Sequence, residues 1–252
     1  MSDANKLTSI TNPDQALQEF SGNEFISWLA DYIAHEVSVW PVLVKLAGAK
    51  PEPQKLRKFL AQIFLCQQAL WSDRETEPGF LKFAIANLSE SDDPSAEPAL
   101  AVLENRFNLE IAESNKALWV RLFQSLGLTT EELLRLEPKE ATRNYIAELS
   151  EVYSNFEWQT SLGALVAYWS VVTPEFEAIQ QVVSRLENVS DKDFELVKLF
   201  AKSQPQSQSL AHELMERLSF DWENKKLIWE GVQRQLAAEQ EFLNHTIKYL
   251  ED

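Results

Sequence analysis

The apolar positions of this chain recur at helical intervals over most of its length. After Ser21, the residues Phe25, Trp28, Leu29, Tyr32, Ile33 and Trp40 are spaced by three, four or seven, the repeat that places side chains on one face of an α-helix. Ser21 and Glu24 have the spacing of a capping box. Pro41 is expected to kink or end this first helix. Pro51 and Pro53 precede a second stripe, Leu56, Phe59, Leu60, Ile63, Phe64 and Leu70. The spacing predicts further helices over 79–88, 96–113, 116–126 and 139–153. Gly127 stands where a helix C-terminus takes a left-handed residue, and Thr129 with Glu132 forms a second capping box.

One segment differs from the rest. Ser161 to Val172 is apolar around nearly its whole circumference, so it reads as a helix buried on all sides by its neighbours. Pro174 is expected to kink it before it runs on to about Leu186. Asp191 can cap a helix carrying Phe194, Val197 and Phe200, and Pro205 begins another that ends near Ser219. Asp221 caps the last, over 222–250, with the stripe Ile228, Val232, Leu236, Leu243, Ile247 and Leu250. Ser89–Ser95 is the clearest loop. No repeat or strand pattern emerges. These elements predict an all-α bundle of eight to ten helices around a buried central helix. Residues 1–20 are expected to be a flexible N-terminal leader and 21–252 a single domain.

Composition narrows the picture. With 252 residues, 8 Trp and 14 Phe the chain can bury a sizeable core, and only 6 Gly argues against turn-rich β architectures. The formal net charge of −16 disfavours nucleic acid and anionic membrane surfaces as partners. A single cysteine, Cys66, excludes an internal disulfide and a thiolate zinc site. The polar start of the chain and the lack of a long apolar run suggest a cytoplasmic protein with neither signal peptide nor membrane span.

Signatures of chemistry are few. There is no phosphate-binding glycine loop, no nucleophile elbow, no Cys-x-x-Cys and no Glu-x-x-His pair. His35, His212 and His245 lie far apart in the sequence and read first as surface or structural residues, with a ligand or base as the alternative for each. His245 follows Glu241 by one helical turn, opposite the last helix's apolar stripe. Glu239 is different, because it falls on that stripe between Leu236 and Leu243. A carboxylate there must find a partner, face a cavity or take a raised pKa, and a cavity carboxylate is a natural general acid or base. The other reading is a stripe-edge residue whose head reaches water. Tyr168, Trp169 and Ser170 lie on the central helix and would line a pocket if the bundle is hollow. Cys66 reads as a buried, inert thiol.

The order of segments resembles the heme-oxygenase-like superfamily, which includes thiaminase II, pyrroloquinoline-quinone synthase and the chlamydial death-domain-associated protein with its di-iron oxidase relatives. The resemblance spans residues 20–250. It is carried by His35-Glu36 with Trp40-Pro41 following, Phe59-Leu60-Ala61-Gln62, Leu118-Trp119 leading to Leu126-Gly127, and Gly163-Ala164-Leu165 with Pro174 behind it. It implies a helical bundle around a central pocket. At the positions where it implies di-iron ligands, the chain has Asn115, Ser170, Pro205 and Ser209, with His212 alone retained, so it implies a degenerate metal site. Where thiaminase II has an Asp and a Tyr, this chain has Ile63 and Cys66, and it lacks the central-helix Cys nucleophile; Glu239 and Phe242 do match that branch's catalytic Glu-x-x-Phe. His35 is the sole candidate for a proximal heme ligand. The quinone synthase grips an acidic substrate with several His and Arg, for which this chain is poorly equipped.

Three functions follow as expectations. The first is a divergent member without an intact di-iron site and without a cofactor, binding a small aromatic or apolar ligand in a central pocket lined by Trp169, Ser170, Phe242 and Cys66. The alternative is an oxidoreductase or lyase, cofactor-independent or with an unusual iron site, using Glu239 as acid/base with Tyr168 and His212 as helpers. The third is a structural homodimer with a filled core.

Overall fold

A computed structural model of the chain describes residues 13–72, 79–92, 97, 100–101, 103–104, 107–108, 113–155, 157–186, 190, 192–201 and 221–251. Among them are eleven α-helices, and no strand. They are α1 (Pro13–Glu19), α2 (Gly22–Ser38), α3 (Pro41–Gly48), α4 (Pro53–Trp71), α5 (Phe80–Ser89), α6 (Glu113–Ser125), α7 (Thr130–Leu133), α8 (Glu140–Asn155), α9 (Trp158–Val183), α10 (Glu195–Ala201) and α11 (Trp222–Thr246), which ends in a 3₁₀ turn, Ile247–Leu250. The number exceeds the expected eight to ten because α1, α3 and α7 are short helices that leave little periodic signal.

The local signals act as chemistry dictates. At the start of α2, the backbone N–H and hydroxyl of Ser21 both donate to Glu24 Oε2, at 2.8 and 2.7 Å. Pro41 ends one helix and opens the next as its first residue, where the missing N–H costs nothing. Gly127 closes α6 with φ 79°. Its N–H bonds to Gln124 O and that of Leu128 to Phe123 O, both at 2.9 Å, the paired bonds that satisfy a helix's last carbonyls. Thr129 Oγ1 accepts from Glu132 N–H while Thr129 N–H donates to Glu132 Oε2. Asp221 Oδ1 accepts from Asn224 N–H at 2.8 Å and caps α11.

Residues 13–20 correct the expected leader. Helix α1 buries Ala16 and Leu17, Phe20 follows it into the core, and the buried Lys225 of α11 donates to Phe20 O at 2.9 Å. A seven-residue amphipathic turn beside polar neighbours carries too little pattern to be read from the sequence; its partner on α11 makes it a helix. Asp191 and the helix expected over 205–219 lie outside the described residues, as do residues 93–95 of the Ser89–Ser95 loop and much of the 96–113 helix.

Helix α9 is the centre of the molecule. It runs unbroken through Pro174, and Leu162, Ala164, Leu165, Ala167, Val171, Phe176 and Ile179 have essentially no exposed surface. It packs most extensively on α11, and also on α3 and α10. The α9–α11 crossing is set by two glycines. A Cβ on Gly163 would overlap the Ile228 carbonyl, and one on Gly231 would overlap that of Thr160. The two backbones therefore touch, which no larger residue allows.

Candidate functional site

The site is built on the inner face of α11. Glu239 is only 4% exposed, as its place on the apolar stripe predicts, and the stripe residues Ile228, Val232, Leu236, Leu243, Ile247 and Leu250 are all buried with it. Its partners come from two helices. The Tyr145 hydroxyl of α8 donates to Glu239 Oε2. Gln235, one turn earlier on α11, donates from Nε2 to the same oxygen at 3.0 Å and to the Tyr145 hydroxyl at 2.7 Å. The three side chains form a closed ring of polar contacts.

The placement of Tyr145 is itself determined. Gln62, the last residue of the Phe-Leu-x-Gln motif on α4, is buried, and its Oε1 accepts from Lys139 N–H at 2.8 Å and from the Thr142 hydroxyl. It thus serves as the cap that α8 lacks in its own sequence. From that anchor α8 turns Tyr145, Leu149 and Val152 inward at helical spacing. Phe242 stacks on Tyr145, ring centres 5.0 Å apart and planes at 26°. Outside this pair lies a cleft of about 670 Å³ between α8 and α11, whose walls include Asn144, Glu148, Glu241, His245 and Lys248. Arg234 spans one side of it, bonding Glu148 at 2.6 Å and Glu151 at 2.7 Å.

A second carboxyl was not foreseen. Glu175, just after Pro174 on α9, is 3% exposed, and its Oε1 has no hydrogen-bond partner among the described residues. It lies within electrostatic reach of Glu239. Desolvation pushes the Glu239 carboxyl up from 4.5 to about 7, against the lowering effect of its bonds from Tyr145 and Gln235. Glu175 is raised well above its ordinary range, first by burial and then by the Glu239 charge. Burial likewise raises the Tyr145 and Tyr153 hydroxyls and the Cys66 thiol, with the Glu239 charge adding to each. A charge buried without a counter-charge costs several kcal/mol, whereas holding a proton one unit above the ordinary pKa costs about 1.4 kcal/mol. Burial therefore favours the neutral forms, and Glu239, whose carboxylate accepts two hydrogen bonds, is the group that ionises near neutrality.

The residues singled out in the sequence divide into three groups. Glu239 and Phe242 are in the ring or stacked on it, and Cys66 is buried within electrostatic reach of both glutamates. Tyr168 and Trp169 are buried on α9. Tyr168 lies beside Trp71 at 6.1 Å and within electrostatic reach of Tyr145, and the half-buried Ser170 donates back to Val166 O at 2.8 Å. His212 lies outside the described residues. His35 is exposed on α2, which does not suit a ligand to an enclosed heme. His245 is exposed and lines the outer cleft with Glu241. Among the described residues no three His, Cys, Asp or Glu side chains converge to hold a metal ion. Sequence reasoning missed Tyr145, Gln235 and Glu175. The signal for Gln235 was its place one turn before Glu239, and for Glu175 its place on the inward face of an apolar helix, where the neighbouring Glu177 is exposed.

Comparison with known proteins gives a consistent placement. No curated protein matches the chain in sequence. Among solved structures, a TenA homologue from Pseudomonas syringae aligns with a TM-score of 0.69 at 12% identity, over 95% of this chain and 98% of that one. A CADD-like protein of unknown function from Nostoc punctiforme aligns with a TM-score of 0.67 at 15% identity, over 98% of both chains. A domain of unknown function with a heme oxygenase-like fold from Shewanella denitrificans gives 0.61 at 14% identity, over 100% of this chain and 94% of that one. The fold is heme-oxygenase-like, as the order of segments implied. Residues 79–249, which carry Tyr145, Glu175, Gln235, Glu239 and Phe242, match the TENA/THI-4/PQQC family model, and over a span of that length the match makes this chain a member of the TENA/THI-4/PQQC family.

Proposed function

We propose that this chain is a metal-independent cytoplasmic enzyme that binds a small aromatic or apolar molecule inside the bundle and moves a proton at it through Glu239. The observation that carries this reading is the buried Glu239, held by Tyr145 and Gln235, with its carboxyl brought to about 7. A general base works best when its pKa lies near the working pH. Both hydrogen bonds fall on Oε2, so Oε1 is the oxygen offered to a ligand. Tyr145 steadies the carboxylate through its hydrogen bond and keeps its own proton, because burial and the Glu239 charge raise its hydroxyl well above the ordinary range. The Tyr145–Phe242 stack supplies an aromatic face, and among the described residues no cation acting on Glu239 would draw in an acidic substrate.

The di-iron alternative does not suit the donors. Ser170 spends its hydroxyl on its own helix, and neither it nor Asn115 replaces a carboxylate or imidazole ligand. A covalent route through Cys66 is also disfavoured, because its thiol is held protonated and a thiol reacts as the thiolate.

The test is a thermal-shift screen of small neutral and cationic heteroaromatics, thiamin included, followed by turnover assays on each binder. A binder should be converted by the wild type and lose turnover by about 100-fold or more in Glu239→Gln while still binding. Unchanged turnover in Glu239→Gln would sink the assignment. Two irons per chain in metal analysis would sink its metal-independent part. A passive binding protein is the second reading, favoured if ligands bind and nothing is converted.

A further inference from the structure

The ring around Glu239 does not account for Glu175. Both are buried carboxyls on the two helices that form the centre of the fold. Their hydrogen bonding is opposite in kind. Glu239 accepts two hydrogen bonds on one oxygen, an arrangement that favours its ionised form. Glu175 Oε1 accepts none from the described residues, and an unsolvated, unbonded carboxylate is the least favourable state of such a group. Among the described residues, the titratable groups facing the pair are Cys66 from α4 and Tyr145 and Tyr153 from α8, with Tyr168 of α9 acting on Tyr145 behind them. All are acids that are neutral at physiological pH. Among the described residues, no lysine, arginine or histidine acts on either carboxyl.

We propose that Glu175 is the proton-holding partner of the site, a neutral carboxylic acid that donates a hydrogen bond beside Glu239 and leaves Glu239 as the ionised base. Glu175 is then a positioning residue. With its own proton retained, it adds no second negative charge to the core, and Glu239 titrates alone near neutrality instead of being driven up by a neighbour's charge. Such a pair gives a ligand a donor on one side and a proton acceptor on the other, the arrangement in which two carboxyls of one site take different roles. Two further buried polar atoms near Glu239, the Tyr153 hydroxyl and Gln235 Oε1, also have no partner among the described residues. These buried atoms are hydrogen-bonding capacity that the described residues do not use.

The inference rests on Glu239 as the proton-transfer group, but its test needs no ligand. Infrared difference spectroscopy on the full chain, with carbon-13 glutamate, reads protonated carboxyls directly. At about pH 9 we expect one protonated-carboxyl C=O band in the wild type, retained in Glu239→Gln and absent in Glu175→Gln. The midpoint of the near-neutral titration should stay almost unmoved in Glu175→Gln, because one neutral group replaces another. No band in the wild type would overturn the proposal. So would a band lost in Glu239→Gln, or a midpoint that falls by about one pH unit or more in Glu175→Gln, the sign of a removed like charge. If Glu175→Gln fails to fold, the wild type and Glu239→Gln still decide the matter, since Glu175 is then the sole buried carboxyl of the site. Failure of every ligand screen would leave this result standing, and the reverse also holds.

Discussion

Helices α9 and α11 meet in two different ways along their length. Around Gly163 and Gly231 the backbones touch, and a single added methyl has nowhere to go. Elsewhere the same two helices carry Glu175 and Glu239, with hydrogen-bonding atoms that have no partner among the described residues. The first region is closely packed, as protein interiors built for stability are. The second gives up stability that an apolar pair would supply, a pattern that recurs where proteins place function. The contrast also explains how the site can be both buried and ordered: the glycine crossing and the Gln62 anchor on α8 hold the helices whose polar side chains the core would otherwise disfavour.

Three substitutions or conditions would break or sharpen that contrast. The largest effect is expected from Gly231→Ala, whose methyl would strike the Thr160 carbonyl and force the helices apart. Denaturant unfolding should show a loss of about 3 kcal/mol or more. A smaller loss would mean that the crossing yields more easily than its geometry implies.

Next in size is the pH dependence. The folded chain holds a proton on Glu239 up to about pH 7, whereas the unfolded chain loses it near 4.5. The folded state binds the extra proton in that window, so this contribution is fully present below about pH 4.5 and is lost as pH rises through 7. The change is on the order of 3 kcal/mol. Unfolding measured across that range should show stability falling with pH in the wild type and a shallower fall in Glu239→Gln.

The smallest effect should have the opposite sign to the first. Glu175→Leu replaces a poorly bonded buried acid by an apolar side chain and is expected to raise stability by about 1 kcal/mol. A clear loss in the same unfolding assay would show that Glu175 contributes bonding to the fold.

Several of these features were legible in the sequence because their causes are local. The capping pairs Ser21/Glu24 and Thr129/Glu132 act over three residues, and Gly127 ends a helix through its own φ. The central helix announced itself because a segment apolar on every side has no other stable home. Glu239 was visible for a related reason, as a charge interrupting a stripe. Glu175 was not, although it too lies on an inward face, because its neighbour Pro174 pointed to a kink, whereas the helix continues through it as one element. Tyr145 could not be found at all. A tyrosine on a helical stripe is ordinary core, and nothing in its own segment says that a glutamate 94 residues away will meet its hydroxyl.

The amino-acid order by itself determined the longer helices, several of their caps, the buried course of α9 and the presence of one carboxylate on an inward face. These follow from periodicity, backbone capping and the cost of exposing apolar surface, all of which act within a few turns of chain. Only the tertiary structure decided which groups surround that carboxylate. Burial, the donors from Tyr145 and Gln235 and the companion Glu175 come from helices brought together, among whose described residues no cation acts on either carboxyl. A carboxyl's proton affinity depends on everything within electrostatic reach, and that set exists only once the chain is folded.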